Sequence, residues 1–200
     1  MTVSVLFVCL GNICRSPSAQ AVFTARAVGC GLQLEVDSVG TGNWHRGEAP
    51  DPRAVRAGAR RGYDLSALRG RVLSAADFEH FDYILAMDRQ NLSDIKALCP
   101  ADFSGEIALF LSYAEKRKTP AALPLEVPAP YYSSTAENSF DTVLDLLEYA
   151  SDGLLQQLVG RDASSPAGLS HEISHEINSG LNHELSSASL PARGSTASGE

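Results

Sequence analysis

A chain of 200 residues that is 44% hydrophobic can bury one full core and is too short for two large domains. Its net charge of -8 excludes a general nucleic-acid binder, which needs a basic face along the phosphate backbone. No apolar run approaches membrane-spanning length, and Cys9, Cys14, Cys30 and Cys99 are too few for a disulfide framework, so a soluble cytoplasmic protein is expected.

Val3 to Val8 is a near-continuous apolar, β-branched run, the pattern of a strand buried on both faces of a parallel sheet. Ser16-Pro17 marks a helix start, with Ser16 as candidate cap, and the helix "AQAVFTARAVG" runs to Gly29. "LQLEVDSVGT" reads as a second strand, "DPRAVRAGARRGY" as a helix opened by Pro52 after Asp51, and "FDYILAMD" as a third, buried strand. "QNLSDIKAL" is a short helix and "GEIALFLSYA" a fourth strand. In the last helix Phe140, Val143, Leu144, Leu147, Leu154, Leu155 and Leu158 form a stripe at helical spacing. Strands alternating with helices predict an α/β domain of three layers, residues 1–160. The six arginines between Arg53 and Arg71 read as a solvated surface.

Residues 161–200 hold ten serines and no aromatic residue, so they are expected to form a mobile tail. "HEISH", His171 to His175, matches a zinc-protease pattern, with His183 as a conceivable third ligand, but the buried helix beside a substrate cleft is missing and a chance match is the better reading.

The chemistry concentrates in "VLFVCLGNICRSP", Val5 to Pro17. A loop leaving the carboxyl end of a buried strand and entering a helix aims its N–H groups and the positive end of the helix dipole at one point, which makes a hollow for a phosphate-like dianion. Gly11 allows a tight turn, and Asn12 tolerates a left-handed conformation or braces the loop. Cys9 stands at the rim, where such a field favours thiolate. Arg15 supplies a planar fork for two phosphate oxygens, and Ser16 a hydroxyl for the sulfur. The reaction these residues suggest is in-line attack by Cys9 on a phosphate ester, a cysteinyl-phosphate intermediate, then hydrolysis by water.

"VLFVCLGNICRSPSAQAVF" resembles the signature of the low-molecular-weight protein tyrosine phosphatases, and "VGTGNWHRGEAPDPRA", "DFEHFDYILAMDRQNL" and "EVPAPYYSS" fall where that family has counterparts. The resemblance covers about residues 3 to 158. It implies a four-stranded parallel sheet flanked by helices and metal-free, cofactor-free hydrolysis of phosphotyrosine in proteins or of small aryl phosphates, inhibited by phosphate and vanadate. It further implies Cys9 as nucleophile, Arg15 as phosphate clamp, and Leu10, Gly11, Asn12, Ile13, Cys14 and Ser16 as the loop around the anion. Cys14 would form a reversible disulfide with Cys9. Trp44, Tyr131 and Tyr132 resemble residues around the substrate ring, and flat aromatic sides would select an aryl phosphate. For the two tyrosines, wall and ordinary packing weigh equally. A monomer or weak dimer is expected, with neither nucleic acid nor membrane as partner.

One departure stands out. Where the family has Asp-Pro-Tyr-Tyr-Gly this chain has Ala129-Pro130-Tyr131-Tyr132-Ser133. The absent carboxylate would protonate a phenolate leaving group, help worth roughly 10²–10⁴-fold. Three readings of Ala129 stand: an engineered change that traps substrate, a natural divergence leaving a weak phosphatase or a phosphotyrosine-binding module, or replacement by another carboxylate, with Glu126 and Asp51 the nearest. An arsenate reductase on the same loop would need two further thiols on a mobile segment, and only Cys99 lies in the central region.

Overall fold

The computed structural model describes residues 2–116, 123–130 and 136–163. Strand β1 (Thr2–Cys9) is buried from Ser4 to Cys9 because it lies in the middle of a parallel sheet ordered β2-β1-β3-β4. β2 (Gln33–Gly40) pairs along its whole length, Thr2 opposite Gln33 through Cys9 opposite Gly40. β3 (Tyr83–Ala86) pairs with Val5–Val8 on the other side, and β4 (Glu106–Leu109) closes the edge.

The alternation along β1 divides the core in two. Val5, Phe7 and Cys9 face one cluster with Val22 and Phe23 of α1 (Arg15–Ala27) and the apolar stripe of α5 (Ala136–Ala163). Leu6 and Val8 face the other with Phe78 of α3 (Ala75–His80) and Ile95 of α4 (Arg89–Leu98). Successive side chains of a strand point to opposite faces, so a run apolar at every position needs cover on both sides, and the helices supply it. The α/β/α three-layer reading therefore holds. The seven apolar residues named for the α5 stripe are all buried. Contacts divide the chain into units Met1–Asp162 and Ala163–Glu200; the His171, His175 and His183 motif lies outside the described residues.

Several local expectations need correction. α1 begins at Arg15, with Cys14 at its N-cap, so Ser16 is inside the first turn and its hydroxyl turns to Cys9 instead of capping. The run "GEIALFLSYA" is two elements: β4 stops at Leu109 and a 3₁₀ helix, Phe110–Lys116, follows. Phe110, Leu111, Tyr113 and Ala114 are all buried, and an apolar run without alternation carries no sign of the change. α3 was not anticipated; its signal is the capping box of Ser74 and Asp77. Arg56, Arg60 and Arg69 are exposed, as a solvated surface would have them, but three of the six arginines also tie elements together. Arg60 and Arg61 of α2 (Pro52–Arg60) and its cap reach Asp141, Asp145 and Glu148 on α5, and Arg71 bridges Asp37 and Asp77.

Two glycines on α5 separate propensity from packing. Alanine is favoured over glycine inside a helix by about 1 kcal/mol. At Gly160 a Cβ meets none of the described residues within 4 Å, whereas at Gly153 it would overlap the carbonyl oxygen of Tyr113 on the 3₁₀ helix. Gly160→Ala is expected to raise the thermal midpoint, and Gly153→Ala to lower stability by about 1–3 kcal/mol, as overpacking does. Parallel thermal melts check the opposite signs.

Candidate active site

The carboxyl ends of β1 and β2 deliver the site. Beyond Cys9 the chain turns through residues 10–14 into α1, and beyond Gly40 a second loop runs beside it. Thr41 N–H donates to Cys9 O (2.9 Å), Gly42 N–H to Leu10 O (2.8 Å) and Asp51 N–H to Ile13 O (2.7 Å), so the two loops are laced together. Gly40 is small by necessity, because a Cβ there would stand 2.8 Å from Leu10 O and 3.2 Å from Asn12 N.

Asn12 sets the shape of the first loop. Its φ is +53°, the one non-glycine residue with positive φ among those described. Such a conformation disfavours residues with a Cβ by roughly 1–2 kcal/mol. Its side chain offsets this: Nδ2 donates to Ser16 Oγ (2.9 Å) and Ser38 Oγ (3.0 Å), while Oδ1 accepts from Arg71 N–H (2.8 Å). Asn12 thus both takes the left-handed conformation and braces the loop. Gly11 is small for another reason: a Cβ would come within 3.1 Å of His45 Cδ2.

In this turn Asn12 N–H points at Cys9 Sγ (3.3 Å), and Ser16 Oγ lies 3.0 Å from the same sulfur. Among the described residues the N–H groups of Gly11, Ile13 and Cys14 donate to no protein acceptor, so they remain for an anion in the hollow. Arg15 is 7% exposed, and Nη1 donates to Asp88 Oδ2 (2.7 Å) and Val127 O (3.1 Å), while Nε and Nη2 have no acceptor among the described residues and could take an oxyanion. Asp88 is held in turn, since it caps α4 by accepting from Asn91 N–H (2.7 Å). Sequence reasoning missed Asp88, whose only signal is its place after a buried strand.

A cavity of about 330 Å³ opens over this loop. It brings together Cys9, Leu10, Gly11, Ile13, Cys14 and Arg15 of the loop with Trp44 and Ala129, and adds His45 and Pro130, which the sequence reading did not single out. Asn12 and Ser16 lie behind the lining as braces. Trp44 is 67% exposed and its ring lies against Gly42, where any Cβ would overlap it. Tyr131 and Tyr132 lie outside the described residues. Neither nearby carboxylate lines the cavity: Glu126 pairs with Arg89 (2.7 Å), and Asp51 caps α2 and pairs with Arg53 (2.7 Å). No helix among the described residues is long and apolar enough to cross a membrane.

The two loop cysteines are free thiols in unlike settings. Burial, then Asp51 and Cys9, push the Cys14 thiol up to about 12. Burial works to raise Asp51 as well, but hydrogen bonds from Arg53 and Cys14 outweigh it and hold that carboxyl below its usual range.

The site thus joins a thiol at the end of β1, loop N–H groups with no described acceptor and a buried arginine, on a four-stranded parallel sheet. Comparison with known proteins narrows this. Residues 4–164 match the family model described as low molecular weight phosphotyrosine protein phosphatase. The "Low molecular weight protein-tyrosine-phosphatase" of Streptomyces coelicolor is 40% identical over 170 residues, covering 82% of this chain and all of that one. The "Low molecular weight phosphotyrosine protein phosphatase" of Schizosaccharomyces pombe is 39% identical over 155 residues, 76% of this chain and 95% of its own. A crystal structure of a protein tyrosine phosphatase from Entamoeba histolytica superposes with a TM-score of 0.72 at 35% identity, covering 80% of this chain and 99% of that one. The chain belongs to the low molecular weight phosphotyrosine protein phosphatase family.

Two measurements probe the loop. Asn12→Ala loses three side-chain hydrogen bonds and keeps the left-handed strain, so it is expected to destabilise the fold by about 2–4 kcal/mol, with Asn12→Gly losing less because glycine relieves the backbone. Urea titrations of the two variants check the order. Because Cys14 stays protonated far below its raised value of about 12, iodoacetamide at pH 8 is expected to leave Cys14 unmodified while it labels Cys9; peptide mapping by mass spectrometry reads the two sites.

Proposed function

We propose that the protein hydrolyses phosphotyrosine and other aryl phosphates through a cysteinyl-phosphate on Cys9. The observation that carries this reading is the convergence on one sulfur, with Asn12 N–H at 3.3 Å and Ser16 Oγ at 3.0 Å, beside a buried arginine at the floor of a cavity. The phosphoryl group sits in the cup with its oxygens on the loop N–H groups and on Nε and Nη2 of Arg15. Asp88 and Val127 O grip Nη1 and fix the plane of the guanidinium. The charge spreads over the equatorial oxygens during transfer, and donors already in place stabilise it without reorganising. Cys9 Sγ attacks phosphorus in line as the aryl oxygen departs. Water then attacks the cysteinyl-phosphate, and the Ser16 hydroxyl stabilises the departing sulfur.

The neighbouring part of the cavity favours an aromatic ester. Leu10, Ile13, Trp44 and Pro130 line the cavity, and this apolar lining suits an aromatic ring better than the short side chain of a serine phosphate. Ala129 also lines it, so at the position of the family's acid this chain presents a methyl group that cannot donate a proton. Anion binding and the first attack survive that loss; departure of a phenolate, whose conjugate acid has a pKa of about 10, is what it slows.

The test is phosphate release from phosphotyrosine and from p-nitrophenyl phosphate, with Cys9→Ser as control. Both substrates are expected to be turned over and Cys9→Ser to abolish turnover. Ala129→Asp is expected to accelerate phosphotyrosine by about tenfold or more and p-nitrophenyl phosphate, whose leaving group departs unprotonated, by much less. Tight phosphopeptide binding with no phosphate released from either substrate would instead mark a binding module.

A further inference from the structure

Among the described residues, the lining of the cavity includes an imidazole that the reaction above leaves idle. His45 follows Trp44 on the loop after β2 and lines the cavity with Cys9, Arg15 and Ala129. Its Nδ1 lies 2.7 Å from Glu48 Oε2, a pairing three residues apart. That contact leaves Nε2, which makes no hydrogen bond to the described residues. The ring edge carrying Nε2 faces the phosphate loop, since a Cβ on Gly11 would lie 3.1 Å from Cδ2 and 3.9 Å from Nε2. The backbone that carries the pair is fixed: Glu48 N–H donates to His45 O (3.1 Å), Gly47 N–H to Gly70 O (2.7 Å), and Gly70 N–H to Glu48 O (2.8 Å). A carboxylate on one imidazole nitrogen sets the tautomer and leaves the other free to exchange a proton, which is the arrangement general acid–base catalysis uses.

We propose that His45, oriented by Glu48, supplies the proton that Ala129 cannot. The inference rests on the phosphatase reading and adds a catalytic residue to it. In the first step the Cys9 thiolate forms the S–P bond while the P–O bond to the aryl group breaks. The bond's electron pair goes to the aryl oxygen, which takes the proton from Nε2 of the imidazolium. In the second step neutral Nε2 takes a proton from water as its oxygen attacks phosphorus. The S–P bond breaks, its electron pair returns to Cys9 as thiolate, and His45 is an imidazolium again. Glu48 is a positioning residue that acts through His45.

The experiment compares kcat on phosphotyrosine with kcat on p-nitrophenyl phosphate for the wild type, His45→Gln, Glu48→Gln, Ala129→Asp and their double variants. His45→Gln is expected to lower the phosphotyrosine to p-nitrophenyl phosphate ratio by about tenfold or more. Ala129→Asp is expected to restore that ratio in the His45→Gln background and to gain more there than in the wild type, because two proton donors substitute for one another. Glu48→Gln is expected to lower the ratio less, and not further once His45 is replaced. An equal loss on both substrates, or an equal Ala129→Asp gain with and without His45, overturns the role of His45 while leaving the phosphatase intact. A His45→Gln variant that Ala129→Asp fails to revive overturns it too. A wild type that releases no phosphate from p-nitrophenyl phosphate fails earlier, at the phosphatase reading itself.

Discussion

The left-handed turn at Asn12 is the constraint on which the site depends. With φ at +53° the chain doubles back, so that the amide of Asn12 donates to the Cys9 sulfur three residues behind it. The three hydrogen bonds of the Asn12 side chain hold that turn, and each ties it to a different element: Ser16 on α1, Ser38 on β2 and Arg71 on the segment entering α3. A backbone strain of one or two kcal/mol persists only where its surroundings over-determine it, and such positions cluster at functional sites. Here the strain is what aims the donors.

From that turn the site extends into the scaffold by direct bonds. Arg15 reaches Asp88, and Asp88 caps α4, so the orientation of the guanidinium is set by the start of a helix on the far side of the sheet. Val127 closes the loop, accepting from Arg15 through its carbonyl and donating its N–H to Met87 O (2.8 Å). Because Cys9 pairs with Gly40 at the last rung of the β1–β2 ladder, the two loops leave the sheet side by side. The cup and the wall above it are therefore fixed by one rung. Preorganisation of this kind lets donors stabilise developing charge without first having to move.

Much of this was legible in the chain because it is local. A β-branched run, a short loop with Gly and Asn, and an Arg-Ser-Pro helix start lie within fifteen residues, and each carries its own stereochemical sign. What stayed hidden is contact over long separations. Asp88 lies 73 residues from Arg15 and Arg71 59 from Asn12, and no periodicity points from one to the other. The division of the residue 105–114 run into strand and 3₁₀ helix was hidden because Ile107 to Leu111 are apolar without alternation across the junction. Ser16 was misplaced only as a cap, because Ser before Pro signals one; its hydroxyl does lie beside the sulfur, and it lies beside Val39 O (3.2 Å) as well. His45 was in plain sight beside Trp44 but drew no notice, since its meaning comes from Glu48 on one side and the Gly11 backbone on the other.

The central claim is that the Cys9 sulfur itself takes the phosphoryl group. The direct measurement is a millisecond mixing of the protein with a phosphotyrosine peptide, a denaturing quench and mass spectrometric mapping. A phosphoryl group on the peptide that contains Cys9, rising before free phosphate and absent in Cys9→Ser, is the result expected. Phosphate released at full rate with the Cys9 peptide never modified would contradict the account.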